Sequence, residues 1–485
     1  MSATLGKLVG TDKTLPPDVA ACAVVGLTSD SREVKPGFLF AALPGSQADG
    51  AKFIPAAIAA GAIAVIARPG TVAGVPVIAD DNPRRLFALA AARFHGAQPD
   101  LVVAVTGTSG KTSVASFVRE MWTAMGFQAA SLGTVGVVAP AGTLELEHTT
   151  PDPAKLHAIA ASLAADHVNH LVIEASSHGL SQYRLDGLRI SAAGFTNLSH
   201  DHLDYHASEE DYFNAKMRLF EELLPKGAPA IINADAAHGE RAAARARARA
   251  LDVLTVGAKG QYLKLVSVDR SGLGQRLVIE ARGHRHNVLL PLVGAFQASN
   301  ALVAAGLVMA TGGEEEIAMR AIESLKGARG RLDLVARAKS GAPVFVDYSH
   351  KPDALENAIL SLRPYATDRL HVVFGCGGDR DRGKRPIMGK IAARLADRVY
   401  VTDDNPRSED AAAIRAEIMA GCPGATEIGD RGAAIRTAVE ALGTGDVLLV
   451  AGKGHEEGQK IGKEVFPFSD HEAARAAVEG RDYRG

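Results

Sequence analysis

At 485 residues the chain is longer than one hydrophobic core usually organises, so three domains of ordinary size are expected. Its composition, 47% hydrophobic and 22% charged, is that of a globular protein, and a formal net charge of -2 leaves no global basic field for nucleic acid or a membrane surface. A small anionic substrate therefore has to be met by local cationic clusters. The three cysteines, Cys22, Cys376 and Cys422, show no paired spacing, which argues against a disulfide framework or a cysteine zinc site and suits a reducing, cytoplasmic setting. Neither an amino-terminal signal segment nor a bilayer-length apolar run is read. Short Val/Ile-rich runs alternate with Ala-rich helical patterns almost end to end, which predicts an α/β protein with mostly parallel sheets.

Residues 1–98 form the first expected domain and carry no catalytic constellation. The polar turn Thr28-Ser29-Asp30-Ser31-Arg32 is suited to a phosphorylated ligand, although Ser- and Asp-rich turns are more often only turns. A helix is predicted near Lys52 to Ala60, strands at Ala62 to Ala67 and Val75 to Ala79, and a helix from Arg84 to Phe94. Gln98-Pro99-Asp100 marks the boundary to a second domain, 99–331.

That second domain opens on LVVAVTGTSGKT, an apolar run that stops at a glycine turn before Lys111, Thr112 and a helical pattern through Met125. A buried strand feeding a phosphate-binding loop has this pattern: Gly107 and Gly110 let amides close on phosphate oxygens, Lys111 supplies a point charge, and the Thr112 hydroxyl can reach magnesium. Only Thr108 and Ser109 separate the glycines, two residues fewer than in the common loop. His148-Thr149-Thr150-Pro151-Asp152-Pro153 runs into a helix, with capping and ligand binding equally open. The strand His170 to Ala175 ends in Glu174, a credible magnesium ligand at the carboxyl end of a parallel strand, followed by Ser176-Ser177-His178. Asn197 to His206 packs three histidines and two aspartates into ten residues. Zinc is an alternative there, but the neighbouring phosphate loop and lack of cysteines favour an oxygen-rich magnesium setting. Lys216, in a helical pattern from Glu209 to Leu223, reads by default as a snorkelling surface residue, and Glu240 to Ala250 as a solvated helix. Tyr262 to Val268 and Arg276 to Glu280 predict a small antiparallel ribbon, followed by helices after Gly294 and from Glu314 to Lys326.

The third expected domain, 332–485, has strands at Pro343 to Val346, Leu370 to Phe374, Arg398 to Val401 and Val447 to Val450 in the pattern of a doubly wound sheet. Each ends in a polar motif: Asp347 to His350, Gly375 to Arg380, Asp403 to Arg407, and Gly452 to Glu456. Together they predict a ligand-binding rim on which Arg380 and Arg407 suit a small molecule with acid groups. Asp-Asn-Pro-Arg occurs twice, at 81–84 and 404–407, and a helix start capped by Asn explains either copy equally well. Arg407 differs from Arg84 in sharing its sheet edge with Arg380 and Glu456.

Taken in order, TSDSR, TGTSGKTS, TTPDP, EASSHGLSQYR, NLSHDHLDYH, YFNAK, DYSHKPDAL, GCGGDRDRGKRP, DDNPRSE and GKGHE resemble the Mur ligases, ATP-dependent amide-forming enzymes of peptidoglycan assembly. The likeness covers nearly the whole chain and is strongest to the branch that adds meso-diaminopimelate to UDP-N-acetylmuramoyl-L-alanyl-D-glutamate. It implies a small α/β first domain, a central P-loop-type ATPase domain and a Rossmann-like last domain. It further implies a cytoplasmic monomer using ATP and Mg2+, with no nucleic-acid or membrane partner. By resemblance, Gly107, Thr108, Ser109, Gly110, Lys111, Thr112 and Ser113 bind ATP, with Asn300, Arg331 and Asp347 also contacting the nucleotide. Thr112, Glu174 and His202 hold magnesium together with Lys216, which the family carbamylates, and Lys111, His202 and Lys216 act in catalysis. Ser31, Thr149, Thr150, Ser176, Gln182 and Arg184 contact the UDP-muramoyl dipeptide. Arg380, Asp404, Asn405, Pro406, Arg407, Gly452 and Glu456 bind the incoming amino acid, and the Asn-Pro-Arg form favours diaminopimelate over lysine. Gln297 stands where the family usually has Asn. A lysine-adding relative and a folylpolyglutamate synthetase are the nearer alternatives, a P-loop switch or transporter ATPase the more distant one.

Overall fold

Four short strands, β1 (Gly26–Thr28), β2 (Phe38–Ala41), β3 (Ala62–Ala67) and β4 (Val77–Ala79), form a wholly parallel sheet in chain order. Helix α1 (Pro83–His95) packs Leu86, Phe87, Ala90 and Ala91 into its core. In the computed structural model, which describes residues 2–11, 13–45, 49–199 and 205–483, the chain divides into two compact units. The first is Met1–Val266 with Ile279–His286 and Ser299–Ile322; the second is Ser267–Val278, Asn287–Ala298 and Glu323–Gly485. No helix of the described residues is long and apolar enough to cross a membrane.

The central sheet of the first unit is built around β5 (Leu101–Thr106), whose Val102 to Val105 are fully buried. A β-branched run suits a parallel strand covered on both faces. Helix α2 (Lys111–Ala124) follows it and buries Val114, Phe117, Val118, Met121 and Trp122, the spacing of a single helical face. Strands β6 (Ala129–Gly133), β7 (Gly136–Ala139) and β8 (Gly142–Leu144) come next, then α3 (Pro153–Ala165), β9 (His170–Glu174) and β10 (Ile190–Phe195). After α4 (Glu209–Arg218) come β11 (Pro229–Asn233), α5 (Gly239–Ala248) and β12 (Asp252–Gly257). Among the described residues the sheet order is β8-β7-β6-β9-β5-β10-β11-β12, continued at the β12 edge by three further strands to make eleven. β9 and β10 flank β5 on opposite sides and run parallel to it. Loops leaving the carboxyl ends of β5, β9 and β10 therefore converge, as at the switch point of an open α/β sheet.

Three elements differ from expectation. The ribbon has three strands, β13 (Leu263–Ser271), β14 (Gly274–Ala281) and β15 (His284–Leu290), and β13 pairs in parallel with β12 instead of standing apart. The α-helix from Glu209 stops at Arg218 and continues as one π turn, Leu219–Leu223. Gln98, placed at a domain boundary, is buried: its amide donates to the Gly187 carbonyl at 3.0 Å and accepts from the Arg189 amide at 2.9 Å. Helix α5 matches the solvated reading, with Ala242, Ala243 and Ala246 inward and Arg241 and Arg245 paired with Glu210 and Glu221.

Helices α6 (Ala295–Ala310) and α7 (Glu315–Ile322) follow the ribbon in the chain. In the second unit β16 (Asp333–Arg337) and β17 (Pro343–Asp347) are antiparallel neighbours. Then come α8 (Pro352–Leu362), β18 (Leu370–Phe374), α9 (Lys384–Leu395) and β19 (Arg398–Val401). Next are α10 (Ala411–Met419), β20 (Thr426–Glu427), α11 (Arg431–Glu440), β21 (Val447–Ala451) and α12 (Asp470–Glu479). The sheet order is β16-β17-β21-β18-β19-β20, parallel from β17 onward, so the four polar motifs do leave from one edge.

His157, on the buried face of α3, is 2% exposed, and its Nε2 lies 3.0 Å from the Asp186 carbonyl. Burial lowers it from an ordinary 6.5 to about 4. The unfolded chain thus takes up a proton near pH 6.5 that the native site refuses until about pH 4. Native stability is complete above the former value and declines between the two, by up to about 3 kcal/mol. Thermal unfolding followed from pH 7 to pH 4 should show that fall, and His157→Gln should flatten it; equal slopes in the two proteins would exclude His157 as its source.

Candidate active site

Glycine is required twice in the loop after β5. Gly110 has φ +88°, and an added Cβ would run into Asn300 Oδ1; Gly107, at φ +149°, has no room beside Thr196 Oγ1. The next strand end shapes the loop. Thr108 N donates to the Asn197 carbonyl at 2.9 Å and Ser109 N to Asn197 Oδ1 at 3.0 Å, while the Thr196 hydroxyl donates to the Ser109 carbonyl at 2.6 Å. Thr196 and Asn197 are thus positioning residues that sequence reasoning did not single out, although Asn197 opens the histidine-rich motif. Gly107 to Ser113 and Asn300 stand together as expected; Ser113 is buried in the first turn of α2.

Lys111 folds back over this loop, its Nζ donating to the carbonyls of Gly107 at 2.8 Å and Thr108 at 2.9 Å. Lys216 reaches the same Gly107 oxygen, also at 2.8 Å. The surface reading of Lys216 is therefore corrected: it is 1% exposed, its ammonium lies 4.1 Å from the centre of the Tyr212 ring, and the Tyr212 hydroxyl donates to Thr108 Oγ1 at 3.1 Å. Its helix faces the sheet, so the stem has no route to solvent along which to snorkel.

Glu174, at the carboxyl end of β9, is 1% exposed. The Thr112 hydroxyl donates to its Oε2 at 2.9 Å, and Thr134 supplies its amide at 2.8 Å and its hydroxyl at 3.2 Å. Thr134, missed by the sequence reading, also touches Thr149 Oγ1 at 3.0 Å. A carboxylate beside a hydroxyl at the mouth of the phosphate loop is a hard-oxygen set of the kind that takes Mg2+ with waters and phosphates completing its shell. Among the described residues no three His, Cys, Asp or Glu side chains are grouped to hold a metal. His202 lies outside the described residues.

Of the expected substrate residues, Thr149, Thr150, Ser176, Arg184 and Gln182 form a chain of hydrogen bonds that starts at Glu174, and Ser31 is not part of it. The Thr150 hydroxyl donates to the Glu174 carbonyl at 2.8 Å and meets Ser176 Oγ at 3.0 Å. Arg184 donates to the Thr150 carbonyl at 2.6 Å and to Gln182 Oε1 at 2.8 Å, and Gln182 donates to the Tyr205 hydroxyl at 3.0 Å. Burial depresses the Arg184 pKa, with Arg84 adding like-charge repulsion. Ser31 begins a 3-10 turn capped by Asp30, whose carboxyl is held at about 2 chiefly by Arg32. The Lys155 to Glu33 pair at 3.7 Å ties that turn to α3.

In the second unit the rim residues interlock. Asn405 Nδ2 donates to Glu456 at 2.9 Å, and Lys453 Nζ donates to Asn405 Oδ1 at 3.1 Å and to Glu456 at 3.0 Å. Burial acts against charge on Asp404, but Lys453 and Arg431 hold its carboxyl below the ordinary value. Gly452, at φ +119°, passes so close that a Cβ would lie 2.7 Å from Asp404 Oδ2. Pro406 is buried, and Arg407, at φ +54°, donates to the Gly378 carbonyl at 2.7 Å. Arg380 is exposed and donates to the Asp379 carbonyl at 3.0 Å. Arg431, paired with Asp470 at 2.7 Å and fully buried, also bonds the Ala451 carbonyl at 3.0 Å and so steadies the rim from beneath. The two Asp-Asn-Pro-Arg copies separate here. Asn82 caps α1 by accepting from Arg85 N, whereas Asn405 caps nothing and α10 starts only at Ala411. Arg331 lies 5.0 Å from the Tyr348 ring centre. Asp347 accepts from Leu332 N at 2.7 Å and from the Ser349 hydroxyl, and burial raises its carboxyl despite Arg331. Gln297 is buried in the second unit, Asn300 in the first.

Residues 23–95 match the family description "Mur ligase family, catalytic domain", 105–308 "Mur ligase middle domain" and 330–454 "Mur ligase, glutamate ligase domain". The chain is 56% identical over 484 residues, 98% of its length and 99% of the relative's, to UDP-N-acetylmuramoyl-L-alanyl-D-glutamate--2,6-diaminopimelate ligase of Bradyrhizobium diazoefficiens. A solved structure of a ligase of that name superposes with TM-score 0.73 at 32% identity, covering 99% of both chains. Folylpolyglutamate synthase of Mycobacterium tuberculosis, solved with ADP, shares the fold with TM-score 0.61 at 18% identity over 76% of this chain and 91% of that one.

The strained glycine gives a direct check on the loop. Gly110→Ala places a methyl group against Asn300 in a left-handed backbone, a cost of about 1–3 kcal/mol. Fluorescent-nucleotide titration should show at least a roughly tenfold loss of affinity. An alanine variant that binds as well as the parent would remove the constraint assigned to this turn.

Proposed function

The chain belongs to the Mur ligase family, and on that premise we propose that it joins meso-diaminopimelate to UDP-N-acetylmuramoyl-L-alanyl-D-glutamate at the expense of ATP, in the cytoplasmic assembly of peptidoglycan precursors. The observation that carries the reading is the occurrence, in one chain, of a lysine-clasped phosphate loop and a rim on which Arg407 and Glu456 are partly exposed over the buried Asn405 and Lys453. A bare P-loop switch leaves that rim without a purpose. An amino acid with an acid and an amine at its far end matches both a guanidinium and a carboxylate. We propose a division into a substrate domain 1–98, an ATP domain 99–331 and an amino-acid domain 332–485; family matches at 23–95, 105–308 and 330–454 support three parts in that order.

Gly107 to Ser113, with Asn300, Arg331 and Asp347, take ATP, and Thr149, Thr150, Ser176, Gln182, Arg184 and Ser31 take the UDP-muramoyl dipeptide. The dipeptide's free carboxylate attacks the γ-phosphorus, ADP leaves, and an acyl phosphate forms. The neutral amine of diaminopimelate then attacks the acyl carbon, a C–N bond replaces the C–O bond, and inorganic phosphate and a proton depart. Lys111, already at the mouth of the loop, offsets the charge that gathers as two anions approach. Thr112 and Glu174, with His202, would hold Mg2+, which when bound neutralises phosphate charge. Lys216 fits as a carbamate, formed by adding CO2 to its amine. Two ammonium groups now share the Gly107 carbonyl, and carbamylation would exchange the buried cation for an anion able to face a metal. Arg380, Asp404 to Arg407, Gly452 and Glu456 receive the amino acid.

ADP release by the purified protein should require the muramoyl dipeptide and meso-diaminopimelate together, with lysine and folate as poor replacements and a tripeptide product visible by mass. Equal ATP turnover with and without both partners, and no product, would end the proposal. Lys216→Ala should lower turnover on the order of 10–100-fold, the usual loss when support for a metal is removed; full activity in this variant would rule out the carbamate role.

A further inference from the structure

Behind the amino-acid rim lies a charge cluster with one buried member, Arg385, and partly exposed carboxylates around it. Arg385, on α9, has a fully buried side chain. Its guanidinium spans both oxygens of Glu409, at 2.9 and 3.0 Å, and also reaches Glu417 at 2.8 Å and the Gly377 carbonyl at 3.3 Å. Glu409 in turn accepts from the Asp379 amide at 2.6 Å. Asp379 closes the circuit, taking the Ser408 hydroxyl at 2.6 Å and the Ser408 amide at 3.2 Å. The cluster thus stitches the loop after β18 to the loop after β19. Gly378 N donates to the Asn405 carbonyl at 2.9 Å between the same loops.

Both loops turn left-handed at the stitched positions. Asp379 and Arg407 each have φ +54°; aspartate reaches this left-handed conformation readily, whereas arginine does so only where its surroundings hold it there. Packing leaves no slack, since a Cβ on Gly377 would lie 2.6 Å from the Arg407 guanidinium and one on Gly378 would strike the Pro406 carbonyl. Glu409 lies two residues beyond Arg407, and its partner Arg385 comes from a different element. The Arg407 guanidinium itself is held by the Gly378 carbonyl at 2.7 Å, in the same loop whose Asp379 amide is anchored by Glu409 and hence by Arg385. Pairing a guanidinium with a carboxylate through two parallel hydrogen bonds depends on angle as well as distance, so a small rotation of the loop weakens recognition without abolishing chemistry.

We propose that the Arg385–Glu409 pair is a positioning device for amino-acid selection, holding Arg407 in the orientation that reads an acidic group at the far end of the incoming amino acid. The proposal rests on the ligase reading of the rim. Because the pair supports orientation rather than bond making, its loss acts on the affinity for one substrate and on the choice between two.

The test compares wild type, Glu409→Gln, Arg385→Lys and a control on the same helix, Arg394→Met, whose guanidinium pairs with Glu356 at the surface. Steady-state constants are measured for meso-diaminopimelate, ATP and the muramoyl dipeptide, with L-lysine as competing amine. Glu409→Gln should raise KM for diaminopimelate at least about tenfold, keep kcat and the other two KM values within roughly threefold, and narrow the preference over lysine about tenfold. Arg385→Lys, which keeps the charge but loses the fork, should fall between, and Arg394→Met should match wild type. An unchanged KM for diaminopimelate, or three KM values rising together, overturns the proposal. If Glu409→Gln does not fold, Ser408→Ala cuts the second stitch and must shift the same constant in the same direction. Should wild type itself ignore diaminopimelate, the ligase reading fails first and the assigned role goes with it, an outcome separate from a negative variant.

Discussion

Two ammonium groups, on Lys111 and Lys216, meet at the single carbonyl oxygen of Gly107, and the first unit is arranged to keep that meeting in place. The carbonyl is turned inward because Gly107 takes a backbone shape closed to other residues and because Thr196 and Asn197 grip the next two positions. Those two stand at the end of β10, Glu174 at the end of β9, and the loop at the end of β5. Sheet order therefore does the positioning, and no single side chain has to reach far. Two like charges beside one dipole are tolerable only while opposite charge is close at hand, which a triphosphate in the loop or a carbamate on Lys216 would supply.

The second unit solves a different problem with the same architecture. Its four strand ends carry groups of both signs, and these are engaged with one another: Asn405 bridges Lys453 and Glu456, and Asp404 lies in the field of Lys453 and Arg431. A rim built in this way costs little to organise when a ligand arrives, because its polar groups already point along fixed bonds. The buried Arg431–Asp470 pair beneath it is a further cost of burial that specific geometry repays.

Much of this was legible from the chain alone. The strands at 62–67 and 370–374 fall where the apolar runs predicted, because a strand buried on both faces has no alternation to misread. The motifs at 107–113, 174–178, 347–350, 375–380 and 452–456 were legible for the same reason, since they stand at the ends of such runs. What escaped was set by partners distant in sequence. Lys216 looked like a surface lysine because its acceptor is 109 residues away. Asn405 looked like a helix cap because its actual partners lie about fifty residues downstream, 48 to Lys453 and 51 to Glu456. Gln98 read only as a boundary marker because the strand entrance it fills, near Gly187, is 89 residues on. Local chemistry alone distinguishes none of these pairs of roles.

The last of these cases has a practical side. Gln98 plugs the start of β10, Arg85 on α1 lies 3.3 Å from the buried Asp186, and α1 belongs to the same compact unit as the central sheet. Truncating the chain at its apparent first boundary would strip a lid from the remainder and expose an aspartate left with Arg218 alone, so a fragment beginning near residue 99 is a poor candidate for crystallisation or ligand screening.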